Sequence, residues 1–206
     1  IAYIVVRDLA VPLPSSPQSN LNVIVQTIRN ANDPLFPQLV EVCRAQGVAA
    51  GSCKHYLDDG AIACVARLND QPIAVGWMTF ANVFVPLIGS TFAGQNDSCL
   101  LFGDFVLPEF RGHRLQRLLG MHRLAQARDE GIRWSYGYIM RGNTPSLSSA
   151  IRRGFRTVAT VHHLRLARRS FVRVHQYARP PIAPLRLEGW PQRPSFFVSP
   201  GREGEP

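Results

Sequence analysis

The sequence contains few cysteines, with only four in 206 residues. None of them forms a C-x-x-C pair, which argues against a zinc site built on paired thiolates. Disulfide-rich scaffolds have a much higher cysteine density, and a chain of this length can bury a core without covalent staples. We therefore predict an ordinary globular domain with no metal site.

Long hydrophobic runs are also missing. No stretch reaches the ~18 consecutive apolar residues that a membrane-spanning helix needs. No basic segment followed by an apolar run opens the chain, which argues against a signal peptide. We therefore expect a cytoplasmic protein. The chain begins at Ile1 rather than Met, so we expect a start that is trimmed or cut from a longer protein.

Lysine is nearly absent, because Lys54 is the only lysine among 23 basic residues. Residues 1–100 have a net charge of −2, whereas residues 101–206 have a net charge of +11. The second half should therefore meet a phosphate-bearing cofactor, an acidic substrate or nucleic acid, although a GC-rich genome produces the same arginine bias. Nucleic acid is disfavoured because the basic residues are not interleaved with aromatic ones.

Hydrophobic periodicity predicts alternating strands and helices. Predicted strands cover 1–9, 23–28, 61–68, 73–80, 99–107, 134–140 and 155–166. One predicted helix begins near 32–33, and three others cover 53–58, 115–128 and 143–153. A long polar loop is predicted over 81–97. This order predicts an α/β (α+β) fold, in which helices flank a mixed, largely antiparallel central sheet with one crossover. We expect a leading strand and linker at 1–21, which could end a preceding unit, a domain at 22–167 and an Arg/Pro-rich arm at 168–206.

The most informative segment lies between the strand of 99–107 and the helix of 115–128. A short basic loop, with Arg111, His113 and Arg114, leads into the first turn of that helix. The N–H groups of that turn are unpaired and carry the positive end of the helix dipole. Gly112 allows the backbone to approach a ligand closely. These features are typical of a pyrophosphate cradle, and an ordinary exposed basic loop is the alternative.

The same segment resembles a known motif. Val106-x-Pro108-x-x-Arg111-Gly112, followed by an apolar helix, is similar to the coenzyme A motif of the GCN5-related N-acetyltransferase (GNAT) superfamily. Asn143, with Gly154-Phe155 eleven and twelve residues later, resembles the Asn-containing helix of that superfamily and its Gly-Phe ending. The resemblance covers roughly residues 22–167 and is strongest from 99 to 156.

The resemblance implies an acyltransferase fold in which acetyl-CoA or another acyl-CoA binds between the fourth and fifth strands. An amine acceptor would attack the thioester directly in a ternary complex, and a backbone N–H near Val106 or Leu107 would face the thioester carbonyl. The residues implied in acyl-CoA binding are Phe105, Val106, Leu107, Arg111, Gly112, His113, Arg114, Leu115, Gln116, Asn143 and Ser146.

The sequence departs from the family pattern at two places. Arg114 and Gln116 occupy loop positions where the family usually has small residues. Ala150 occupies the position, seven residues after the Asn, where many members have a Tyr that protonates the departing thiolate. Tyr136, Tyr138 and Ser146 are candidates to replace it, and the sequence does not choose among them.

Asp104 is the only carboxylate in the apolar run 99–107, and a charge there is costly unless it is paired or functional. It lies two residues before Val106 and therefore on the same face of the strand. We predict that it acts as a base or orients the amine. The alternative is a structural carboxylate bonded to a loop or an arginine.

Two alternatives to an active N-acyltransferase remain open. Ala150 and the replaced small residues fit a catalytically weak acyl-CoA-binding or regulatory domain, and the basic half leaves a nucleic-acid module as the less favoured reading. The acceptor, the acyl chain and the oligomeric state, a homodimer included, are not determined by the sequence.

Overall fold

The computed structural model describes residues 1–15, 19–85, 87–92, 96–166 and 169–177. Its strands are β1 (Ala2–Asp8), β2 (Ile24–Ile28), β3 (Ile62–Leu68), β4 (Gln71–Thr79), β5 (Val83–Val85), β6 (Ser90–Phe92), β7 (Ser98–Val106), β8 (Trp134–Met140), β9 (Arg156–Leu166) and β10 (Arg169–Gln176). Its α-helices are α1 (Phe36–Ala45), α2 (Ala50–Asp58), α3 (Leu115–Asp129) and α4 (Thr144–Arg152).

Within the described residues, eight strands form one sheet in the order β10-β9-β1-β8-β7-β4-β3-β2. β7 and β8 are parallel and are connected through α3, whereas the other neighbouring strands of this sheet are antiparallel. The predicted mixed, largely antiparallel sheet with one crossover is therefore confirmed.

Side-chain alternation along the strands gives the sheet two apolar faces. Val5 and Leu101 pack on one face with residues of α3 and α4. Leu100 packs on the opposite face with residues of β5 and β6, and Trp77 packs there against α1 and α2. Helices therefore cover both faces of the sheet, and the β5–β6 hairpin covers part of one face.

The two ends of the described chain both belong to this sheet. β1, which the sequence analysis assigned to a leading segment, pairs with β8 on one side and with β9 on the other. β10, beyond residue 167, pairs with β9 along its whole length. The remainder of the predicted arm, 178–206, lies outside the described residues. Among the residues that are described, no helix is long and apolar enough to cross a membrane.

The segment 81–97 differs from the polar loop that the sequence predicts. β5 and β6 form an antiparallel hairpin within it. Val85, Ile88 and Phe92 are buried against the sheet, because the segment carries enough apolar residues to form a cover. Residues 86 and 93–95 lie outside the described part of the segment.

Candidate functional site

β7 and β8 separate along their length. Their parallel pairing runs from Ser98 opposite Trp134 to Leu101 opposite Gly137 and ends there. Beyond this point β7 continues beside β4 as far as Val106, and β8 continues beside β1. The result is a wedge-shaped gap between residues 102–106 and 138–140 in the middle of the sheet.

A β-bulge in β7 lies at the start of this gap. The β4–β7 register pairs Trp77 with Phe102 and Val75 with Phe105, so Gly103 and Asp104 together face Gly76. Gly103 has a φ of +62°, a conformation that glycine adopts without strain. A Cβ at this position would lie 2.8 Å from the Trp77 ring. Such bulges bend a strand and redirect its side chains.

A cavity of about 230 Å³ occupies the gap. β7 contributes residues 101–104 to its wall and β8 contributes residues 137–140. Gln116 of α3 and four residues in and around α4, Asn143, Ser146, Ala150 and Arg153, complete one side. Four of the predicted site residues therefore line a single cavity, namely Asp104, Gln116, Asn143 and Ser146.

Asp104 is paired within this wall. Its Oδ1 accepts a hydrogen bond of 2.5 Å from Arg123 Nη2, and its side chain is 20% exposed while that of Arg123 is fully buried. Arg123 also donates to the carbonyls of Trp77 at 2.7 Å and Leu119 at 3.2 Å. A Cβ at Gly76 would lie 2.6 Å from the guanidinium carbon, so glycine is needed there to make room for the pair.

The loop before α3 contains two residues with positive φ angles. Gly112 has a φ of +86°, and Arg114, the N-cap residue of α3, adopts the left-handed φ of +62° that is unusual for a residue with a side chain. No side chain caps the first turn of α3, and no acidic residue lies in it. The His113 Nδ1 and Arg117 Nε atoms are buried without a hydrogen-bond partner. The loop and the first turn of α3 thus contain polar atoms that have no hydrogen-bond partner within the described residues.

Two backbone N–H groups were candidates to face the gap. The Leu107 N–H donates to Ile73 O at 3.0 Å, so it belongs to the β4–β7 ladder and is not available. Hydrogen-bonded and non-hydrogen-bonded pairs alternate along an antiparallel ladder, so the neighbouring Val106 N–H and C=O point away from β4, toward the gap. Accordingly, Val106 O accepts from Arg111 Nε at 3.4 Å.

Asn143 lies at the open side of the cavity and caps α4. Its Oδ1 accepts from the Ser146 backbone N–H at 3.2 Å. Gln116 Nε2 donates to Ser146 Oγ at 3.2 Å and thereby connects α3 with α4. The position that usually holds a small residue in the resembled motif therefore carries a side chain that bridges two helices.

No protein-family model matches the chain, and no curated protein matches it. Solved structures do match: a tandem GNAT protein from the clavulanic acid biosynthesis pathway has a TM-score of 0.54 at 18% identity, with 76% of this chain and 50% of that chain covered. The GCN5-related glucosamine N-acetyltransferase region of a fungal multi-domain β-N-acetylglucosaminidase has a TM-score of 0.53 at 17% identity, with 76% and 19% covered. A GCN5-related N-acetyltransferase from Kribbella flavida has a TM-score of 0.51 at 14% identity, with 75% and 53% covered. This chain has the GNAT fold.

The fold that the two motifs predicted is thus confirmed. The chain spans about half the length of the clavulanic acid pathway protein and of the Kribbella protein. The gap between β7 and β8 is the candidate for the opening that the resemblance predicts between the fourth and fifth strands.

The three candidates to replace the missing Tyr are separated by the structure. Ala150 lines the cavity, and so do Tyr138 and Ser146. Tyr136 and Tyr138 both contact the apolar cluster on the β5–β6 side, where the Tyr136 ring packs on Phe92, but of these two tyrosines only Tyr138 lines the cavity. Burial, and to a smaller extent the charges of nearby Tyr56 and Asp104, raise the pKa of Tyr138 to about 12. Its hydroxyl is therefore protonated at neutral pH.

Arg153 is a cavity residue that the sequence reasoning missed. It follows α4 directly, is 5% exposed and lines the cavity. Burial lowers the pKa of its guanidinium to about 10. Ser146, Ala150 and Arg153 are spaced i, i+4 and i+7, so they lie on one helical face. This helical spacing from Ala150 could have identified Arg153 from the sequence, and it distinguishes Arg153 from the exposed Arg152.

Proposed function

We propose that this chain is an N-acyltransferase that transfers an acetyl or other acyl group from acyl-CoA to a primary amine in a ternary complex. The observation that carries the proposal is the gap between β7 and β8. It opens at a bulge, contains a cavity and ends beside a basic loop at a helix N-terminus. No purely structural requirement of the sheet calls for this combination.

The residues around the α3 N-terminus fit a phosphate-bearing group. The uncapped first turn, the buried and unpartnered His113 Nδ1 and Arg117 Nε, and the open space around Gly112 all favour an anion. We assign the pyrophosphate of CoA to this loop, with Arg111 and Arg114 contributing positive charge. Arg114 adopts the left-handed backbone conformation that a glycine would usually provide, so the loop can follow the same path although this residue carries a side chain.

The gap fits an extended, uncharged chain that carries amide groups. Asn143, Ser146 and Gln116 offer donors and acceptors along one side of the cavity. We propose that they hold the pantetheine arm, with residues 105–107 on the other side. When bound, acyl-CoA supplies a thioester whose carbonyl carbon bonds to the amine nitrogen as the C–S bond breaks and the sulfur leaves as a thiol.

Three groups of this chain are suited to that reaction. The Val106 N–H points into the gap and would stabilise negative charge on the carbonyl oxygen. The Asp104 carboxylate, held by Arg123, would orient the incoming amine and assist removal of its proton. Tyr138, which keeps its hydroxyl proton at neutral pH, would donate that proton or a hydrogen bond to the departing sulfur.

A catalytically weak acyl-CoA-binding domain is the second candidate. Ala150 leaves α4 without the usual hydroxyl, and Gln116, at a position where the family usually has a small residue, connects α3 with α4 through its hydrogen bond to Ser146. A nucleic-acid module is a third and weaker candidate, and it rests only on the basic second half. For the enzyme we further propose a cytoplasmic location, which cell fractionation would test.

A turnover assay separates these candidates. Thiol release from acetyl-CoA would be followed with a panel of primary amines that includes amino sugars, aminoglycosides, peptide N-termini and lysine. The proposed enzyme releases thiol in an amine-dependent manner. Calorimetric binding of CoA without amine-dependent release with any acceptor would favour the binding domain. Absence of CoA binding together with a salt-sensitive DNA shift would favour nucleic-acid binding.

A further inference from the structure

Arg153 carries a buried positive charge that lacks a full set of partners. Its Nε donates to Ser149 O at 3.3 Å, and its guanidinium lies over the Phe155 ring at 5.5 Å from the centroid. Its Nη1 is buried without a hydrogen-bond partner. Among the described residues it forms no ion pair within 4.0 Å. Such an unpaired buried charge is costly, so an anionic ligand would be strongly favoured here.

The charges around Arg153 add to this preference. Asp104 is near enough to act on its pKa, but that carboxylate already forms an ion pair with Arg123. Arg123 and Arg117 both act on Arg153 as like charges. Two guanidinium groups, those of Arg123 and Arg153, thus lie near one carboxylate, so the cavity wall around Arg153 has an excess of positive charge.

Arg153 lies near the level at which the pairing of β7 and β8 ends. It is three residues before Arg156, which is in register with Val6 and, through Val6, with Tyr136 of β8. A Cβ added at Gly120 of α3 would overlap its Nη1 atom, so it packs beside α3 at that level. Gly120 is five residues after Leu115, the first residue of α3, which is about 7.5 Å along the helix axis. Leu101 and Gly137, where the pairing of β7 and β8 ends, also line the cavity. Gln116, which contacts the residues proposed to hold the pantetheine arm, lies about 6 Å nearer the mouth.

We propose that Arg153 binds a carboxylate at the far end of the acyl group, so that the preferred donor is an acyl-CoA whose acyl chain ends in a carboxylate. This inference rests on the proposed binding of acyl-CoA in the gap. It follows from the order of groups along the cavity, because the pyrophosphate loop and the arm-binding side chains precede Arg153. A carboxylate beside the Arg153 guanidinium would neutralise the excess charge.

The test compares two donors of matched shape. Malonyl-CoA and isovaleryl-CoA both branch at the third acyl carbon, but only malonyl-CoA carries a charge there. We expect calorimetry on the wild-type protein to give malonyl-CoA at least about tenfold tighter binding, as for a hydrogen bond to a charged group. Equal affinities, or tighter binding of isovaleryl-CoA, would overturn the inference. If the protein still binds CoA in that case, the proposed function is unaffected.

Substitutions assign the preference to this side chain. Arg153→Met should abolish the discrimination and leave the affinity for CoA itself unchanged, and Arg153→Lys should retain part of it. Arg152→Met changes the exposed neighbour and should retain it fully. A preference that survives in folded Arg153→Met would contradict the assignment. Failure of CoA and both acyl-CoAs to bind would overturn the proposed function and this inference with it.

Discussion

Removal of the Asp104 carboxylate separates its structural role from its proposed catalytic role. Arg123 is fully buried, so Asp104→Ala leaves a buried guanidinium without its counter-ion. Breaking such a pair typically costs ~3–5 kcal/mol. Because Asp104 is itself 20% exposed, we expect the lower end of that range. At roughly 2–4 °C per kcal/mol for a chain of this size, the melting temperature should fall by about 6–12 °C.

Asp104→Asn should cost much less stability, because the amide oxygen still accepts a hydrogen bond from Arg123. We expect a loss of ~1–2 kcal/mol. A protein with ordinary stability of ~5–15 kcal/mol remains almost wholly folded after such a loss. Turnover should nevertheless fall by a factor of ~10²–10⁴, the usual effect of removing a general base. Thermal melts and thiol-release kinetics on the same preparation measure both quantities.

The double variant Asp104→Ala with Arg123→Met provides the decisive control. An apolar replacement of a buried ion pair is often neutral or stabilising, so the melting temperature should return to near that of the wild type. Turnover should not return, because the carboxylate is still missing from the cavity wall. If turnover returns together with stability, Asp104 acts only through the fold, and the proposed role in orienting the amine is wrong.

The remaining predictions use the same two assays. Arg111→Ala should weaken CoA binding by ~1.5–3 kcal/mol, as for loss of a charged hydrogen bond, and an unchanged calorimetric affinity would remove this residue from the site. Asn143→Ser keeps a helix cap but shortens the side chain, so the melting temperature should stay unchanged while the KM for acyl-CoA rises several-fold. An unchanged KM would show that Asn143 only caps α4 and does not bind acyl-CoA. Tyr138→Phe should lower kcat. Since burial raises the Tyr138 pKa to about 12, deprotonation of Tyr138 should not reduce the kcat of the wild-type enzyme below about pH 11. A loss of kcat below that pH in the wild type but not in the variant would contradict the raised pKa of Tyr138. Burial lowers the Arg153 pKa to about 10, so its charge penalises the folded state at neutral pH, and this penalty falls as the pH rises above about 10. Arg153→Met should therefore raise the free energy of unfolding relative to an Arg152→Met control, and a destabilised Arg153→Met variant would contradict this.

Much of the fold could be predicted because its elements have strong local patterns. The strand at 134–140 was predicted with the bounds that the structure gives it, since a buried run is flanked by turn residues. α3 follows the helical spacing of its leucines, and Asn143 begins α4 as a preferred capping residue. α1 begins later than predicted, at Phe36, because Asp33 Oδ1 accepts from the Leu35 N–H in a turn before the helix.

Features that depend on pairing between distant strands could not be predicted in the same way. The sequence does not specify that β1 inserts between β8 and β9, because many orders of strands would bury the same apolar residues. The bulge at Gly103 arises from its register against Gly76 on another strand. The buried partner of Asp104 is likewise a tertiary feature, although Leu115, Leu119 and Arg123 share one helical face at i, i+4 spacing.

Several residues of the candidate site could be predicted from the sequence, because the motif and the local chemistry pointed to the same positions. Asp104, Asn143 and Ser146 line one cavity, whereas Arg111 lies in the basic loop before α3. The choice between the Val106 and Leu107 N–H groups required the ladder of hydrogen bonds. Arg153 required the packing of α4 on α3, because its burial depends on the space that Gly120 leaves.

A crystal structure of the protein with CoA bound tests the central claim most directly. We expect density for the pantetheine arm in the gap between residues 102–106 of β7 and 138–140 of β8, with the pyrophosphate at residues 111–116. Asn143 should lie within hydrogen-bond distance of the arm. CoA bound at another surface, with the gap between β7 and β8 left empty, would contradict the account.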